Sequence, residues 1–528
     1  MTAPPTAMPG VASMAPGTDL AEALELIRAG RMDRADALCR ALVERFPADA
    51  NAHHLLGLVA LGSKRAAEAL PRLTRAVALA PHTGHFYSNL GTAQHGNGDT
   101  GQAERSYAHA LRLVPNQAEA AFNKANLLVG SDRIEAAEAW YRRAIELQPE
   151  RSKYWCSLGT VFMRTHRHAQ ALRAYAIANA AAGGYFPDTA INQGMTHQRL
   201  NQVADALACY ERALAGNPEN VAAHWNRALA LLVSGRLEEG WRDYEWRWKL
   251  AESAPRPFSQ PLWTGEPLNG RTLLLHTEQG LGDTLQFARY LPRVEGRVIL
   301  ECQPPLRRLL SESFPNVTVV ASGDPLPAFD VHLPLMSLPR IFRTTLDSIP
   351  ADVPYLRAAD AASRLAPRPG TLAVGLVWGG DPAHRNDRQR SLGRDALAAL
   401  LSTPHATFFS LQKGDRGQDL AESVPPDRPV QDLGPAIGDM ADTAAFIRQL
   451  DVVVTVDTSV AHLAGALGCP VLVMLPFAPD WRWLLERSDS PWYPTAKLFR
   501  QTAPGDWIGV VRSVADHLAS IVSSRGPL

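Results

Sequence analysis

The residues best suited to chemistry lie where two predicted strands end and small or polar residues begin. The first segment, residues 277–283, reads TEQGLGD, and its Gly280 and Gly282 permit a tight turn and the close approach of a ligand. Asp283 then stands at the start of a predicted helix. A carboxylate there either complements the helix dipole or faces a cleft as a general base, and the spacing leaves both roles open.

The second segment reads VDTSVAHLAGALGCP and carries a predicted strand directly into a helix. The backbone N–H groups of Thr458, Ser459 and Val460 would begin that helix unpaired, which suits them to cradle a diphosphate. Asp457 precedes them, and His462 lies one turn into the helix, within reach of the same phosphates. The alternative is ordinary N-capping by Asp457 or Thr458, with His462 packed in the core.

Two polar loops follow other predicted strands and offer positive charge. After the strand that ends at Trp378 comes a basic loop, whose Arg385 and Arg390 could neutralise a departing phosphate. Gln412 and Lys413 follow the next strand and are candidate nucleotide contacts. A solvated loop is the alternative, although the glycine pair directly after Trp378 favours a ligand.

Other chemistries find weaker support. The turn lacks the third glycine of a dinucleotide-binding fingerprint because Leu285 occupies its place, although Glu301 ends the next predicted strand as a ribose-binding carboxylate would. A nicotinamide site therefore stays an alternative. The chain has no P-loop, zinc-protease or nucleophile-elbow motif and no spacing typical of metal ligands, so we expect neither a metal nor a resident cofactor.

The elements that would position these residues form an α/β pattern in the second half of the chain. Apolar runs alternate with helical segments, which is typical of strand–helix–strand units in a parallel sheet. The pattern occurs twice, so it predicts two Rossmann-like lobes that face one cleft, where ligands lie beyond the carboxyl ends of the strands. The predicted strands span residues 271–276, 297–301, 317–320, 372–378, 407–411, 452–456 and 471–475.

The first half carries a different pattern, a repeat of 34 residues. A small residue recurs at spacings of 34, 34, 34, 35 and 34, and a large residue generally follows sixteen positions later. This period is typical of tetratricopeptide repeats, in which paired antiparallel helices stack on their neighbours to form an α solenoid. The recurring small residues are Gly57, Gly91, Ala125, Gly159, Gly194 and Ala228.

The repeats predict a binding function and a join to the second half. Solenoids present extended concave surfaces, so we expect a protein or peptide partner there, with a dimerisation surface or spacer as the alternative. Residues 180–187 break the pattern and predict a longer turn or a kink. Trp241, Trp246 and Trp248 end the last repeat and should pack against the following domain.

Composition sets the remaining expectations. The 528 residues carry 53 basic and 53 acidic side chains, so there is no overall positive field for nucleic acid. Five scattered cysteines without a CxxC pair indicate reduced thiols and a cytoplasmic protein. The proline-rich start lacks the features of a signal peptide, and no apolar run approaches the roughly 18 residues of a transmembrane segment.

Residues 270–525 resemble the heptosyltransferase-like glycosyltransferases of glycosyltransferase family 9, on the strength of the Asp283 turn and the DTSVAHLAGAL segment. The resemblance implies a two-lobed GT-B fold and an inverting, metal-independent reaction. It also implies that Asp283 deprotonates the acceptor and that Asp457, Thr458, Ser459 and His462 hold the donor diphosphate. Ser459 stands where a glycine is common in the family, so the approach of the phosphate should be slightly altered.

The whole chain resembles bacterial glycosyltransferases fused to tetratricopeptide repeats, some of which modify proteins such as flagellin. The implied function is sugar transfer from a nucleotide-sugar to a protein recruited by the repeats, with flagellin or another surface protein as candidate acceptor. One alternative is a non-catalytic scaffold with a degenerate transferase domain. Another is transfer to a polysaccharide or lipid-linked sugar.

The combined pattern predicts four segments. A disordered leader should span residues 1–18, and about seven repeats should span 19–254. An acceptor-side Rossmann-like lobe should follow over 255–368, and a nucleotide-sugar-side lobe over 369–528.

Overall fold

The computed structural model describes residues 16–250, 255–361, 363–383, 386–414, 416–424 and 430–524. The chain folds as two compact units, Met1–Thr196 and His197–Leu528. Most of the predicted leader lies outside the described residues, and residues 16–18 already belong to the first helix.

The described part of the first unit is built from paired helices. From the second pair onward, the first helix of a pair has 13 residues and the second has 14. The helices are α1 (Pro16–Arg28), α2 (Met32–Arg45), α3 (Ala50–Gly62), α4 (Ala66–Leu79), α5 (Gly84–Gly96), α6 (Thr100–Leu113), α7 (Ala118–Gly130), α8 (Ile134–Leu147), α9 (Ser152–Arg164), α10 (His168–Ala181) and α11 (Pro187–Arg199), of which α11 continues into the second unit.

The recurring small residue lets the two helices of a pair approach each other. A Cβ atom on Gly159 would lie 2.5 Å from Cε1 of Tyr175, and one on Gly91 would lie 2.8 Å from Cε1 of Tyr107. Such distances are too short for any side chain, so the glycine makes room for the large residue sixteen positions later. The 34-residue pattern therefore records a packing contact that is formed again in successive pairs.

The irregular segment between α10 and α11 is a longer turn, as predicted. Five residues separate these helices, whereas four separate α8 from α9. Gly183 and Gly184 adopt φ angles of +82° and +127°, which favour glycine. The Phe186 N–H donates to Oδ1 of Asn179 at 2.9 Å and closes the turn. The extra residue accounts for the single spacing of 35.

The second unit adds three repeat helices and two sheets. The repeat helices are α12 (Val203–Gly216), α13 (Val221–Val233) and α14 (Leu237–Tyr244), followed by a 3₁₀ turn over Glu245–Lys249. The strands are β1 (Thr272–His276), β2 (Arg297–Cys302), β3 (Thr318–Ala321), β4 (Val331–Pro334), β5 (Leu372–Val377), β6 (Ala406–Ser410), β7 (Gln431–Asp432), β8 (Val452–Val456), β9 (Val471–Leu475) and β10 (Ala496–Arg500). The other helices are α15 (Leu281–Phe287), α16 (Arg307–Ser313), α17 (Leu338–Ile341), α18 (Asp387–Arg390), α19 (Arg394–Leu401), α20 (Gly417–Ser423), α21 (Met440–Ile447), α22 (Ser459–Ala466) and α23 (Trp507–Ser524).

Both sheets are parallel throughout, because each connection between paired strands crosses over. The four-stranded sheet has the order β3-β2-β1-β4, and the six-stranded sheet has the order β10-β9-β8-β5-β6-β7. The winding direction reverses between β1 and β4 in one sheet and between β5 and β8 in the other. Ligand crevices open at such reversals, beyond the carboxyl ends of the strands. Helical repeats followed by α/β lobes confirm the predicted fold class.

Trp241 joins the last repeat to the α/β lobes. Its side chain is buried, its indole N–H donates to the Thr344 carbonyl at 3.1 Å, and its ring lies 5.3 Å from that of Trp481. The expectation for the tryptophan cluster is therefore confirmed for Trp241. It is wrong for Trp246, which instead stacks on His224 of its own repeat at 3.7 Å.

Candidate functional site

The turn after β1 places Asp283 in the first turn of α15. The Gly280 N–H donates to Oδ2 of Asp283 at 2.7 Å, so the carboxylate caps its own helix, as one of the two predicted roles requires. Its other oxygen pairs with Arg482. Burial raises the pKa of Asp283, although Arg482 and the Gly280 N–H oppose that rise. Asp283 thus caps its own helix and also has a pKa that is shifted by its surroundings.

Arg482 is the main site residue that the sequence analysis missed. It lies on a 3₁₀ turn, Trp481–Trp483, downstream of β9, and its side chain is 9% exposed. Besides Asp283, it donates to Oδ1 of Asp480 at 2.8 Å and to Oε1 of Gln286 at 2.7 Å. A buried guanidinium thus links the turn of the first lobe to the second lobe.

Gly282 brings the two lobes into direct contact. A Cβ atom at this position would lie 2.8 Å from Cδ2 of His462 and 3.4 Å from Cα of Ser459. Any side chain would therefore push α15 away from α22. The structure brings the glycine-rich turn and the VDTSVAH segment together, and a ligand cleft between the lobes stays a prediction.

His462 is a packed, neutral histidine. It is 4% exposed, its Nδ1 lies 2.9 Å from the Tyr493 hydroxyl, and its ring stacks on Trp483 at 5.4 Å. Burial lowers the pKa of His462 well below its ordinary value, and the charges of Arg482 and Arg289 add to this shift. Its placement matches the packed-histidine alternative, and contact with a phosphate stays a prediction.

The start of α22 has features of an anion site. Thr458 occupies the N-cap position, but its side chain makes no capping hydrogen bond, and its hydroxyl instead pairs with that of Thr455 at 3.1 Å. The alternative of side-chain capping by Thr458 is therefore absent from this helix end. The backbone N–H groups of Ser459 and Val460 stand in the first turn, where helix N–H groups lack intrahelical partners.

Asp457 lies among several charges. Burial and the nearby Asp480 raise the pKa of Asp457 to about 6, opposed by Trp483, Arg482 and Arg390. The Trp483 indole nitrogen is buried near this carboxylate without the geometry of a full hydrogen bond. A carboxyl group in this setting stays partly protonated near neutral pH more readily than a free aspartate.

The loop after β5 contributes a second cation. Nη1 of Arg390 donates to the backbone carbonyl of Asp457 at 3.2 Å and so bridges the two loops at the reversal of the sheet. The buried Asp387 orients this loop, because it pairs with Arg416 and its Oδ1 lies 3.6 Å from Nε of Arg390. Sequence reasoning missed Asp387 and Arg416, and the predicted Arg385 lies outside the described residues.

Gln412 and Lys413 are engaged by the protein backbone. Oε1 of Gln412 accepts from the N–H groups of Trp378 and Gly379 at 3.2 and 3.0 Å. The Lys413 ammonium donates to the carbonyls of Gly434 and Ile437 at 2.9 and 2.7 Å. Both side chains therefore hold loops beside the site, and direct contact with a nucleotide stays a prediction.

Glu301 does not fit the nicotinamide alternative. It lies within β2 rather than at its end, is 3% exposed and pairs with Arg256. Ribose recognition requires an available carboxylate at the strand end, and this one is already neutralised.

In the described parts of the chain, no group of three or more His, Cys, Asp and Glu side chains is placed to hold a metal ion. Within the same residues, no helix combines the length and the apolar character needed to cross a membrane.

Comparison with known proteins confirms the repeats. A family model described as tetratricopeptide repeat matches residues 20–83, 88–152 and 191–251. These segments follow the paired helices and include the last repeat beside the α/β lobes. The chain therefore contains tetratricopeptide repeats, a fold that serves protein and peptide binding.

Two curated proteins and one solved structure are similar to this chain. Protein FlbA of Caulobacter vibrioides is 27% identical over an alignment 559 positions long, which covers 96% of this chain and 90% of FlbA. The human protein O-mannosyl-transferase TMTC3 is 27% identical over 173 residues, which cover 30% of this chain and 18% of TMTC3. The solved Cut9–Hcn1 hetero-tetramer of the APC/C is similar over 44% of this chain and 46% of that chain, with 16% identity and a TM-score of 0.40.

Proposed function

We propose that this protein is a glycosyltransferase that moves a sugar from a nucleotide-sugar to an acceptor, most simply a protein held by the repeats. The observation that carries the proposal is the convergence of the Asp283 turn with the start of α22 and with Arg482. Parallel sheets present ligand crevices at this edge. The site brings a carboxylate and an anion-binding helix end together, which are the two functions that such a transfer requires.

The cations support stabilisation of the leaving group. Departure of a nucleoside diphosphate builds negative charge on its phosphate, and fixed donors aimed at that charge lower the barrier. The first-turn N–H groups of α22 and the guanidinium groups of Arg390 and Arg482 are the donors in this region. They would supply the stabilisation without a metal ion.

Asp283 is the candidate base in this proposal. A carboxylate oxygen has two lone pairs, so the bonds from Gly280 and Arg482 leave acceptor capacity for an attacking hydroxyl group. Burial raises its pKa, which brings a carboxylate closer to the range useful for proton abstraction. Asp457 is another carboxyl group of the cluster, near Asp480, and the peptide carbonyl that it presents to Arg390 suits a structural role in the donor loop.

The repeats supply the acceptor in this proposal. Tetratricopeptide repeats occupy the first unit and reach α14, and the FlbA match extends over nearly the entire chain. The name of TMTC3 describes transfer of mannose to protein, which is the same class of reaction. That match spans less than a fifth of TMTC3, so it suggests the reaction class without identifying the donor.

A scaffold without transferase activity is the second candidate. Cavities of about 180 Å³ and about 100 Å³ both lie among repeat helices, the first beside Arg227 and the second beside Tyr141. These cavities favour the repeats as the functional surface if no donor binds between the lobes.

The deciding experiment is calorimetric titration of the full chain with UDP, GDP, ADP and CMP. Ser459→Asp places a negative charge at the start of α22, where it stabilises the helix but repels a phosphate. We expect it to weaken nucleotide binding by at least about tenfold, equivalent to about 1.4 kcal/mol. Ser459→Ala keeps the backbone N–H and is the matched control, which should bind like the wild type.

Transfer itself is tested on the nucleotide-sugar that binds. Intact-mass analysis of candidate acceptor proteins after co-expression should show addition of one sugar mass with the wild type. Asp283→Asn should abolish that addition. Nucleotide titration of the same variant shows whether the donor site survives the loss of the charge that pairs with Arg482. Wild-type chain that binds no nucleotide and modifies no protein would favour the scaffold.

A further inference from the structure

The turn that carries Asp283 adopts a backbone conformation that it does not favour on its own. Gln279 has a φ of +61°, in the left-handed region where a side chain meets steric hindrance. Such a conformation persists only where surrounding contacts impose it. One support comes from Gln303, whose Nε2 donates to the carbonyls of Gln279 and Gly280 at 3.2 and 3.4 Å.

A second support comes from Tyr244, the last residue of α14. Its hydroxyl accepts from Nε2 of Gln279 at 3.2 Å and lies 3.4 Å from Oε1 of the same amide. Tyr244 is 2% exposed, and its ring lies beside those of Trp241 and Trp481. The hydroxyl is therefore fixed by packing before it meets the turn.

The third support is Arg247, on the 3₁₀ turn that follows α14. Its Nε and Nη2 donate to the two carboxylate oxygens of Glu278 at 3.0 and 2.7 Å, a bidentate pair that sets the orientation of the side chain as well as its charge. Nη2 also donates to the Ser337 hydroxyl at 2.8 Å, and Nη1 donates to the Tyr244 carbonyl at 3.2 Å. The guanidinium is 1% exposed, so water cannot replace these contacts.

Arg247 also balances charge near the base. Burial raises the pKa of Glu278, and the negative charges of Glu245 and Asp283 act in the same direction, while Arg247 opposes them. Without this guanidinium, Glu278 would be a buried carboxylate that has lost its ion-pair partner, a costly arrangement in a protein interior. The turn would then rearrange or take up a proton.

We propose that Arg247 and Tyr244 are positioning residues for Asp283. They hold the side chains of Glu278 and Gln279, and through these side chains they position the turn and the Gly280 N–H that donates to the Asp283 carboxylate. The catalytic consequence rests on the proposed transferase function. The end of the last repeat is then part of the active site rather than an attachment to it.

Hydrogen exchange of the full chain, measured by mass spectrometry on peptides that cover residues 277–287, tests the positioning directly. Arg247→Lys keeps the charge but loses the fork that fits a carboxylate. Tyr244→Phe removes only the hydroxyl and so preserves the packing. We expect both to accelerate exchange in this peptide by about tenfold, as loss of about 1.4 kcal/mol of local stability would do.

The matched control is Arg242→Lys on α14, whose exposed side chain pairs with Glu238 on the helix surface. It should leave the exchange of residues 277–287 unchanged. Wild-type exchange rates in both Arg247→Lys and Tyr244→Phe would overturn the proposal.

Kinetics separates positioning from simple stabilisation. Once a donor is known, Arg247→Lys should lower kcat by about tenfold to a hundredfold, with KM for the donor changed by less than about twofold. Changes of the same size in kcat and in KM for the donor would overturn the catalytic part of the proposal. A wild-type chain that transfers no sugar would overturn the transferase function. Faster exchange in Arg247→Lys and Tyr244→Phe would even then support the positioning of the turn.

Discussion

Ion pairs in the repeats and in the α/β site are built from the same types of side chain but contribute differently to stability. In the first unit, Arg133 pairs with Glu104 on the helix surface, where the two side chains are 53% and 33% exposed. In the second unit, Arg482 pairs with Asp283 where both are largely buried. Water screens the first pair and leaves it nearly neutral in energy, whereas the second must be complete to be tolerated. In the repeats, packing stabilises the fold and the ion pairs lie on its surface. In the site, buried ion pairs themselves stabilise the turns.

The largest expected difference between the two regions is in the free energy of unfolding that is lost when one guanidinium group is removed from each. Arg482→Ala leaves Asp283 and Asp480 without their partner and should lower the free energy of unfolding by about 3–5 kcal/mol. Arg133→Ala should change it by less than about 0.5 kcal/mol. Urea unfolding followed by tryptophan fluorescence measures both. Similar losses in the two variants would remove the distinction between the regions.

Glycine substitutions sharpen the comparison at the level of packing. Gly282→Ala places a methyl group against His462 and should cost about 1–3 kcal/mol, because α15 and α22 must separate. It should also weaken nucleotide binding. Gly130→Ala, at the end of α7, meets open space and should be neutral or stabilising by up to about 1 kcal/mol. Thermal unfolding midpoints of the two variants provide the test, and a stable Gly282→Ala would contradict the lobe contact.

The pH dependence of stability should have opposite signs in the two regions. Hydrogen bonds from Arg167 and Arg142 lower the pKa of Glu138 in the repeats, against burial. Its contribution is therefore complete above pH 4.5 and is lost as the pH falls through its lower folded pKa. Burial raises the pKa of Asp457 to about 6, so the folded chain retains a proton that the unfolded chain releases near pH 4. Stability contributed at this site should fall as the pH rises from about 4 to about 6.

The comparison of Asp457→Asn with Glu138→Gln tests these signs. Asp457→Asn should flatten the stability profile between pH 4 and 6, whereas Glu138→Gln should alter it only below about pH 4.5. Unfolding midpoints measured from pH 3 to pH 7 would show both effects. A profile for Asp457→Asn that parallels the wild type would exclude a raised pKa at this residue.

The smallest effect is expected for an exposed pair within the repeats. Lys153→Gln removes a contact of 2.9 Å to Glu119 and should change stability by no more than about 0.5 kcal/mol. Because exposed charges are screened, even this difference should vanish in about 1 M salt. Thermal unfolding at two salt concentrations measures it. A large and salt-independent loss would mean that surface charge does hold the repeats together.

The sequence specifies the repeated and the buried parts of the fold well. Strands β8 and β9 match their predicted bounds because each consists of β-branched and apolar residues that are buried on both faces. The 34-residue period predicts the paired helices because the same glycine contact recurs. The sequence analysis does not predict strands β4 and β10. Their sequences, VHLP and AKLFR, mix polar, charged and proline residues with apolar ones, so periodicity alone does not indicate a strand.

The site is predicted less completely because its contacts are distant in sequence. The Asp283 turn and the start of α22 are visible as local motifs, and the structure brings them together. Arg482 lies 199 residues from Asp283, among tryptophans that resemble core, and no local pattern marks it as a site residue. The sequence predicts Gln412 as a nucleotide contact, and this stays a prediction. The contacts of its amide with the backbone of the neighbouring loop are not visible in the local sequence.

Trp241 has a practical consequence for dissecting this protein. Isolated solenoids stay soluble because their terminal repeats present a polar outer face. Here the last turn of α14 carries Trp241 and Tyr244, which are both buried against the α/β lobes. A repeat fragment cut after residue 250 would expose this aromatic surface to water and should self-associate. Expression of the repeats alone for partner capture therefore calls for a polar capping helix grafted in place of the lobes.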